Sequence, residues 1–349
     1  MRSIKVIGFL LIWIFIFSSG MFAQEKKEYK VGCIAFYNLE NIFDTLDTPN
    51  VNDEEFTPEG VNKWNGEKYK KKLENMSTVI SQIGNEMFPG GPAIIGVCEL
   101  ENRNVLEDLI STPALKSSKY AIVHYDSPDR RGVDVGMLYR TDFFRVTSSR
   151  SARLIMSEDT LFRTRDQLVV SGIFDGEEMH VIVNHWPSRS SGEKVSSPKR
   201  IAAAALTRSI VDSIYSTNPN AKIFIMGDLN DDPINASVTK VLGAKKNPDK
   251  LKTNDLYNPM YQMYKDGIGS LAYQDSWNLF DQIIVSAALV GKDKSDFKFF
   301  KAKVFNKPFI TQQSGQYSGY PLRTFAGGAY TGGYSDHFPV YVFIIKEKK

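Results

Sequence analysis

Three acids, two amides and two histidines stand at the ends of apolar runs in this chain. Glu99 follows Ala93-Ile94-Ile95-Gly96-Val97-Cys98, His185 follows Met179–Asn184, and Asp228 follows Ile223-Phe224-Ile225-Met226-Gly227, with Asn230 two residues on. Asn38 closes the run Val31–Tyr37, and Asp336-His337 precedes Phe338–Phe343. Carboxylates, amides and histidines in this combination suit a hard-metal phosphate site. Asp281 differs in lying inside a run. Period-two alternation puts it on one face with Leu279, Ile283 and Val285, which reads as a core face. A carboxylate there must be paired or hydrogen-bonded. Histidine is a natural partner, because a carboxylate fixes its tautomer and favours the imidazolium.

Each position also has a plainer reading. Asp228 with Asn230 is equally a strand-to-turn Asx pair. Glu99 can be a solvated acid opening a helix, His185 a hydrogen-bonded structural histidine, and Gly333–His337 a turn; His124 and His180 are read as structural. Other chemistries drop out by their missing motifs. The nearest string to a G-x-S-x-G elbow, Gly333-Tyr334-Ser335-Asp336-His337, lacks the closing glycine. There is no G-x-x-x-x-G-K-[ST] loop, no H-E-x-x-H helix and no C-x-x-C pair. Four histidines and two cysteines, Cys33 and Cys98, argue against a His- or Cys-rich zinc site.

Strand ends can assemble such a set only on the rim of layered sheets. Strands are expected at Val31–Tyr37, Ala93–Cys98, Val133–Tyr139, Gln167–Phe174, Met179–Asn184, Lys222–Met226, Leu279–Ser286 and Phe338–Ile345. Helical spacing of Leu73, Met76, Val79, Ile80 and Ile83 predicts a helix over Glu67–Ile83, and a second is expected over Pro198–Tyr215 with Pro198 in its first turn. Asp44–Asn65 and Lys245–Tyr264 read as long loops, unusual enough to suggest a binding role. Strands along the whole chain with interspersed helices imply layered sheets with outer helices in one domain. Both cysteines fall in strands and are expected as buried free thiols.

The composition of the 349 residues, 42% hydrophobic and 24% charged, excludes disordered, collagen-like and coiled-coil classes. Residues 1–23 have the order of a secretory signal peptide, with Arg2 and Lys5, an apolar run from Val6 to Phe17, then small residues. A retained anchor is the alternative, although the run is short for a membrane span. Without Arg2 and Lys5 the 43 basic residues become 41 against 40 acidic ones, and the formal charge falls from +3 to +1. That balance neither supports nor excludes nucleic acid. The expectation is a secreted or periplasmic monomer, domain 24–349, without stable membrane insertion.

Six blocks in order, Tyr37-Asn38-Leu39-Glu40-Asn41, Cys98-Glu99-Leu100-Glu101-Asn102, Asn184-His185-Trp186, Gly227-Asp228-Leu229-Asn230, Phe280-Asp281-Gln282-Ile283 and Ser335-Asp336-His337, resemble the endonuclease/exonuclease/phosphatase superfamily, which includes deoxyribonuclease I. The resemblance covers about residues 30 to 345. It implies a four-layered α/β sandwich, with two central mostly antiparallel sheets flanked by helices. It also implies phosphoester hydrolysis dependent on Mg²⁺ or Mn²⁺. Carried over residue by residue, it makes Glu99 the principal metal carboxylate with Asp336 nearby. Asn38, Asp228 and Asn230 would line phosphate and metal, and His337 would be paired with Asp281. His185 would be the second histidine, with Asp166 as its partner acid, and Arg131 a substrate contact.

In that reading water attacks in line, activated by His337 or Asp228, and His185 gives the leaving-group proton. The family motifs leave the substrate open. An endonuclease on DNA or RNA is favoured by export and by Arg130, Arg131, Arg189, Lys194, Lys199 and Arg200. The alternative is a lipid or sugar phosphodiesterase or phosphatase. A sphingomyelinase-like member would need an exposed apolar loop, for which Trp64 and Tyr257–Tyr264 are candidates. A non-catalytic binding module of the same fold should lack a site residue, and every principal position is filled.

Overall fold

Runs rich in Val, Ile and Phe become strands buried on both faces, and the polar stretches between them become loops and edges. The structure, a computed structural model, describes residues 27–348; the expected leader over residues 1–23 lies outside the described residues. Strands β1 (Tyr29–Ile42), β2 (Ile94–Leu100), β3 (Tyr120–His124) and β4 (Asp134–Arg140) belong to a first sheet. Strands β5 (Phe144–Ala152), β6 (Gln167–Phe174), β7 (Glu177–His185), β8 (Lys222–Asp228), β9 (Ala244–Lys245) and β10 (Leu256–Tyr257) belong to a second. A hairpin of β11 (Leu271–Tyr273) and β12 (Ser276–Asn278) precedes β13 (Asp281–Ser286), which rejoins the second sheet. Strand β14 (Lys298–Val304) returns to the first sheet, β15 (Phe325–Ala326) and β16 (Ala329–Tyr330) make another hairpin, and β17 (Val340–Glu347) ends the first sheet.

The sheet orders are β14-β17-β1-β2-β4-β3 and β5-β6-β7-β8-β13-β10-β9. Pairs β1/β2, β7/β8 and β9/β10 are parallel; the remaining pairs are antiparallel. The sheets face each other closely. A methyl on Gly96 of β2 would stand 2.7 Å from the Met226 sulfur and 3.0 Å from Val183 of the other sheet, so glycine permits the approach. Helices α1 (Gly66–Ile80) and α2 (Arg103–Ser111) cover the first sheet, burying Leu73, Met76, Val79, Val105, Leu106 and Leu109 in its core. Helix α3 (Glu193–Thr217) covers the second, setting Ala203, Ala204, Ile210 and Val211 on Ile182, Ile223, Ile225 and Ile284. This is the expected four-layered sandwich.

The differences from expectation have physical reasons. Strands β3, β5 and β14, absent from the sequence reading, are edge strands of their sheets, and edges carry polar residues that blur the β pattern. Helix α2 was likewise unread; the Asn102 side chain caps it by accepting from Val105 N at 3.1 Å. Helix α3 starts at Glu193, so Pro198 lies inside it, not in its first turn. The Arg200 guanidinium donates to the Glu193 carbonyl at 2.9 Å and Ser196 Oγ to that of Gly192 at 2.7 Å, which steadies the turn where proline lacks a donor. The second expected loop contains β10 and a short helix α4 (Met260–Lys265). Trp64 is buried, its indole N–H donating to Phe43 O at 3.0 Å, so it offers nothing to a membrane surface. Cys33 and Cys98 are buried and free. Among the described residues no helix is long and apolar enough to cross a membrane.

At the end opposite His185, Glu177 clasps the sheets together. Its carboxylate accepts from Lys222 Nζ of β8, from Lys346 Nζ of β17 at 2.7 Å, and from Phe297 N at 3.1 Å. Burial raises its pKa, but the two lysines and the amide outweigh this and hold it below the usual value. A carboxylate so lowered stabilises above its unfolded pKa and loses that contribution as pH falls through the folded one. Partial exposure keeps the effect modest. Glu177→Gln is expected to cost roughly 1 kcal/mol at pH 7. Urea unfolding from pH 7 to pH 3 should show the two proteins converging; a difference that is constant with pH would refute the clasp.

Candidate active site

Strands β7, β8 and β13 lie side by side, and their register sets His185 against Asp228 and Asp228 against Asp281. All three are buried. Two carboxylates directly opposite repel, so each needs donors. The His337 ring Nδ1 lies 2.7 Å from Asp281 Oδ2, and Ser270 Oγ donates to the same oxygen at 2.5 Å. Asn38, reaching across from the first sheet, donates to Asp228 Oδ2 at 3.1 Å, and Asn230 N donates to Oδ1 at 2.9 Å. The loop before β17 is fastened in turn, because Ser335 Oγ donates to Asn38 O at 2.7 Å and accepts from His337 N at 3.1 Å. His337 Nε2 then faces Asp228 Oδ2 at 4.0 Å and Asp336 Oδ1 at 3.9 Å.

These surroundings separate the two histidines. Burial draws the His337 pKa down, but Asp281, Asp336 and Asp228 more than reverse this and hold it well above the ordinary value, favouring the charged ring. Burial holds His185 well below the ordinary value, assisted by the positive Arg165, Arg131 and His337. Burial pushes the Asp228 carboxyl up to about 7, against the pull of His337. The shift favours the uncharged ring and with it a hydrogen-bonding part for His185, where the family resemblance implies a proton donor.

Backbone geometry aims the acids at the rim. Glu99 sits in the left-handed region at φ 58°, where the β2–β4 register slips between Cys98 and Leu100. Such a bulge re-aims a side chain, and Glu99 Oε1 lies 3.7 Å from His185 Nε2, with Asp228 Oδ2 3.8 Å from the same nitrogen. The β1–β2 register slips likewise after Asn38, with Glu40 at φ 49° and Asn41 at φ 53°, and Asn230 has φ 50°. Non-glycine residues held there store strain, which gathers at functional sites. Glu101 and Asn102 of the same block face elsewhere: Glu101 accepts from Asp44 N at 2.7 Å and Thr48 Oγ1 at 3.0 Å, while Asn102 caps α2.

Other expected residues are placed differently. Asp166 is not the partner of His185: its carboxylate lies 3.5 Å from Arg153 Nε, and no described residue bonds His185 Nδ1. Successive residues of an extended chain face opposite ways. The neighbour, Arg165, points to the site instead, donating to Trp186 O at 2.7 Å and pairing with Asp129 at 3.0 Å. Asn230 spends one amide hydrogen on Trp186 O at 2.9 Å. Arg131 is half-exposed, 3.7 Å from Asp129 and close enough to His185 to depress its pKa. The expected basic stripe dissolves in part. Arg200 is buried 2.7 Å from Asp231, Arg189 pairs with Asp231 at 3.0 Å, and Lys199 lies over the Phe162 ring.

A charge cluster beside the site escaped the sequence reading. Lys72 of α1 is buried, donating to Tyr334 O at 2.6 Å and Thr324 Oγ1 at 2.7 Å, with Glu40 Oε2 at 3.8 Å. Glu40 accepts from Thr324 N at 2.6 Å and Arg323 Nε at 3.2 Å, and Arg323 also donates to Asp336 Oδ2 at 3.0 Å. Burial drives the Glu40 pKa up to about 7 and that of Lys72 down to about 8. A signal existed: Lys72 shares a helical face with Met76 and Val79, where a cation demands a partner. Nothing comparable marks Arg323.

Among the described residues, two groups of His and Asp bring possible ligand atoms within 4.8 Å of one another: Asp228, Asp281 and His337, and His124, Asp126 and Asp134. In the first, the His337–Asp281 hydrogen bond already occupies two of those atoms. In the second, His124 Nε2 bonds Asp134 at 2.9 Å. Glu99 and Asp336 offer carboxylate oxygens less enclosed than the first group, at 15% and 33% side-chain exposure, and hard oxygens are what Mg²⁺ or Mn²⁺ takes.

A phosphoester hydrolase is the class to which this fold points. The family model described as "Endonuclease/Exonuclease/phosphatase family" matches residues 33–346, and the chain belongs to that family, whose members depend on a divalent metal. A member from Bacteroides thetaiotaomicron is 18% identical, with a TM-score of 0.54 over 92% of this chain and 97% of that one. The mannosyl-6-phosphatase of the same organism is 18% identical, with 0.53 over 90% and 99%. Zebrafish (D. rerio) TDP2 bound to a single-strand DNA product is 15% identical, with 0.54 over 90% and 98%. At these identities the likeness is one of fold. No curated protein matches the chain.

The buried pair makes a direct prediction. Lys72→Met leaves Glu40 buried with Arg323 as its remaining cation and is expected to cost about 1–3 kcal/mol in denaturant unfolding. The double variant Lys72→Met, Glu40→Gln should recover most of that loss; equal stability of the two variants would mean the ion pair is unimportant.

Proposed function

We propose that this chain is an exported hydrolase of small phosphoesters that works by in-line attack of water. The observation that carries the reading is the convergence of Asp228, Asp281, His185, His337, Asn38 and Glu99 from both sheets on one rim. Glu99 and Asp336 would hold Mg²⁺ or Mn²⁺, which when bound neutralises charge growing on the phosphoryl and leaving oxygens. Asp228, with its pKa raised to about 7 by burial, takes the proton of the attacking water. The acids around His337 favour its charged form, which suits it to orienting the phosphate. As the water oxygen bonds to phosphorus, the bond to the leaving oxygen breaks; that oxygen departs as an alcohol, and His337 is the protonated group of the site that can supply its proton. His185 and Asn38 orient the phosphate as neutral partners, and Asp281 fixes the His337 ring.

A small substrate is favoured because Arg189 and Arg200, which would have followed a nucleic-acid backbone, are spent on internal acids. Half-exposed Arg131 beside His185 supports the second reading, an endonuclease. Export rests on the signal-like order of residues 1–23.

Phosphate release from a panel of phosphomonoesters, and nicking of supercoiled plasmid, would be measured with Mg²⁺ or Mn²⁺ and with chelator. His337→Ala and Asp228→Asn are expected to lose roughly 10²–10⁴-fold in kcat without loss of the folded state by circular dichroism. Near-normal turnover by either variant, or turnover indifferent to chelator, would overturn the mechanism. Nicking without monoester turnover would make the endonuclease reading the right one.

A further inference from the structure

Beside the site lies a cavity of about 620 Å³ that the mechanism does not use. One wall is the β11–β12 hairpin with Tyr273 and Asp275, and the other is the segment carrying Gln316, Tyr317, Tyr320 and Arg323. Two links fix its place. Arg323 bonds both Asp336 and Glu40, so the cavity ends where the catalytic rim begins. The hairpin opens one residue after Ser270, whose hydroxyl bonds Asp281 and whose carbonyl accepts from Phe338 N at 2.6 Å. From Phe338, the residue after His337, rings lead outward. Phe338 stacks on Trp277 (6.2 Å, 16°), Trp277 meets Tyr320 edge-on (5.6 Å, 63°), and Tyr320 lies against Tyr317 at 5.5 Å and 46°.

The chemistry of the walls is that of a recognition site. Tyr273 and Tyr317 are 67% and 56% exposed, and rings gathered at the surface of a cavity need a partner. Tyr320 O–H donates to Asp275 Oδ1 at 2.9 Å, leaving Oδ2 as an acceptor. Among the described residues the Gln316 amide has no hydrogen-bond partner. A ring that carries hydroxyls in several directions matches this set: its apolar face packs on tyrosine while hydroxyls donate to the carboxylate and exchange bonds with the amide. A nucleic-acid backbone brings a series of phosphates, and Arg323 is the single basic side chain lining the cavity.

We propose that this cavity binds the sugar ring of a phosphorylated sugar, with the phosphate at the Glu99–His337 rim and Arg323 between the two. The assignment rests on the phosphoester reading above for its phosphate half, and the test separates them. Saturation-transfer NMR with methyl hexopyranosides and the full chain reads ring binding without turnover. Signals are expected with the wild type and should fall by roughly fivefold or more in Tyr317→Ala and Tyr273→Ala. Turnover of hexose 6-phosphates against nucleoside 5′-monophosphates is measured alongside. Hexose phosphates should be preferred, with Tyr317→Ala raising KM about tenfold more than it changes kcat. Glycoside binding with no phosphoester turnover would keep the cavity assignment and sink the hydrolase reading. Preference for nucleotides, weakened by Tyr317→Ala, would place a base in the cavity and overturn the sugar; so would turnover unaffected by either variant together with no glycoside binding.

Discussion

Two carboxylates held opposite each other at the paired ends of two central strands, out of water, set the terms for this molecule. Asp228 and Asp281 are direct cross-strand partners and both are buried, an arrangement that opposes folding unless it is compensated. The compensation comes from far along the chain. Asn38 arrives from the first sheet, Ser270 from the loop before the β11–β12 hairpin, and His337 from the turn before β17. The donors that make the pair tolerable are also the groups that face the rim. Stabilising the acids and assembling the site are therefore one act, and the sandwich is the scaffold that brings the donors within reach.

The same principle, cost at the rim offset by packing elsewhere, explains the left-handed residues. Glu99, Glu40 and Asn230 hold conformations that glycine would adopt freely, yet each places a side chain that glycine lacks. The slips in strand register at Glu99 and after Asn38 turn those side chains out of the pleat. Below them, both sheets are filled with Ile, Val and Phe and tied at the far end by Glu177.

Much of this was legible in residue order. Central strands announced themselves because burial on both faces demands continuous apolar runs, and Asp281 stood out as the one charge on such a face. That cost called for a partner such as a histidine, the family resemblance named His337, and the structure holds the pair at 2.7 Å. Edge strands β3, β5 and β14 were silent, since one side of each meets solvent and tolerates polar residues. The His185 neighbourhood misled by a single residue: Arg165, not Asp166, turns toward it, a distinction set by backbone orientation and not by composition. Arg323 was beyond reach, because its meaning comes from Glu40 and Asp336, nearly the whole chain apart from one another.

Strand β17 lies between β14 and β1 in the first sheet. Its antiparallel register with β1 sets Phe36 against Val340, and the turn carrying His337 leads directly into it. Pairing across so long a stretch of chain is entropically costly and slow to form. The cation that relieves Asp281 is therefore delivered by one of the slower events of folding, and the rim takes shape together with the closure of that pairing.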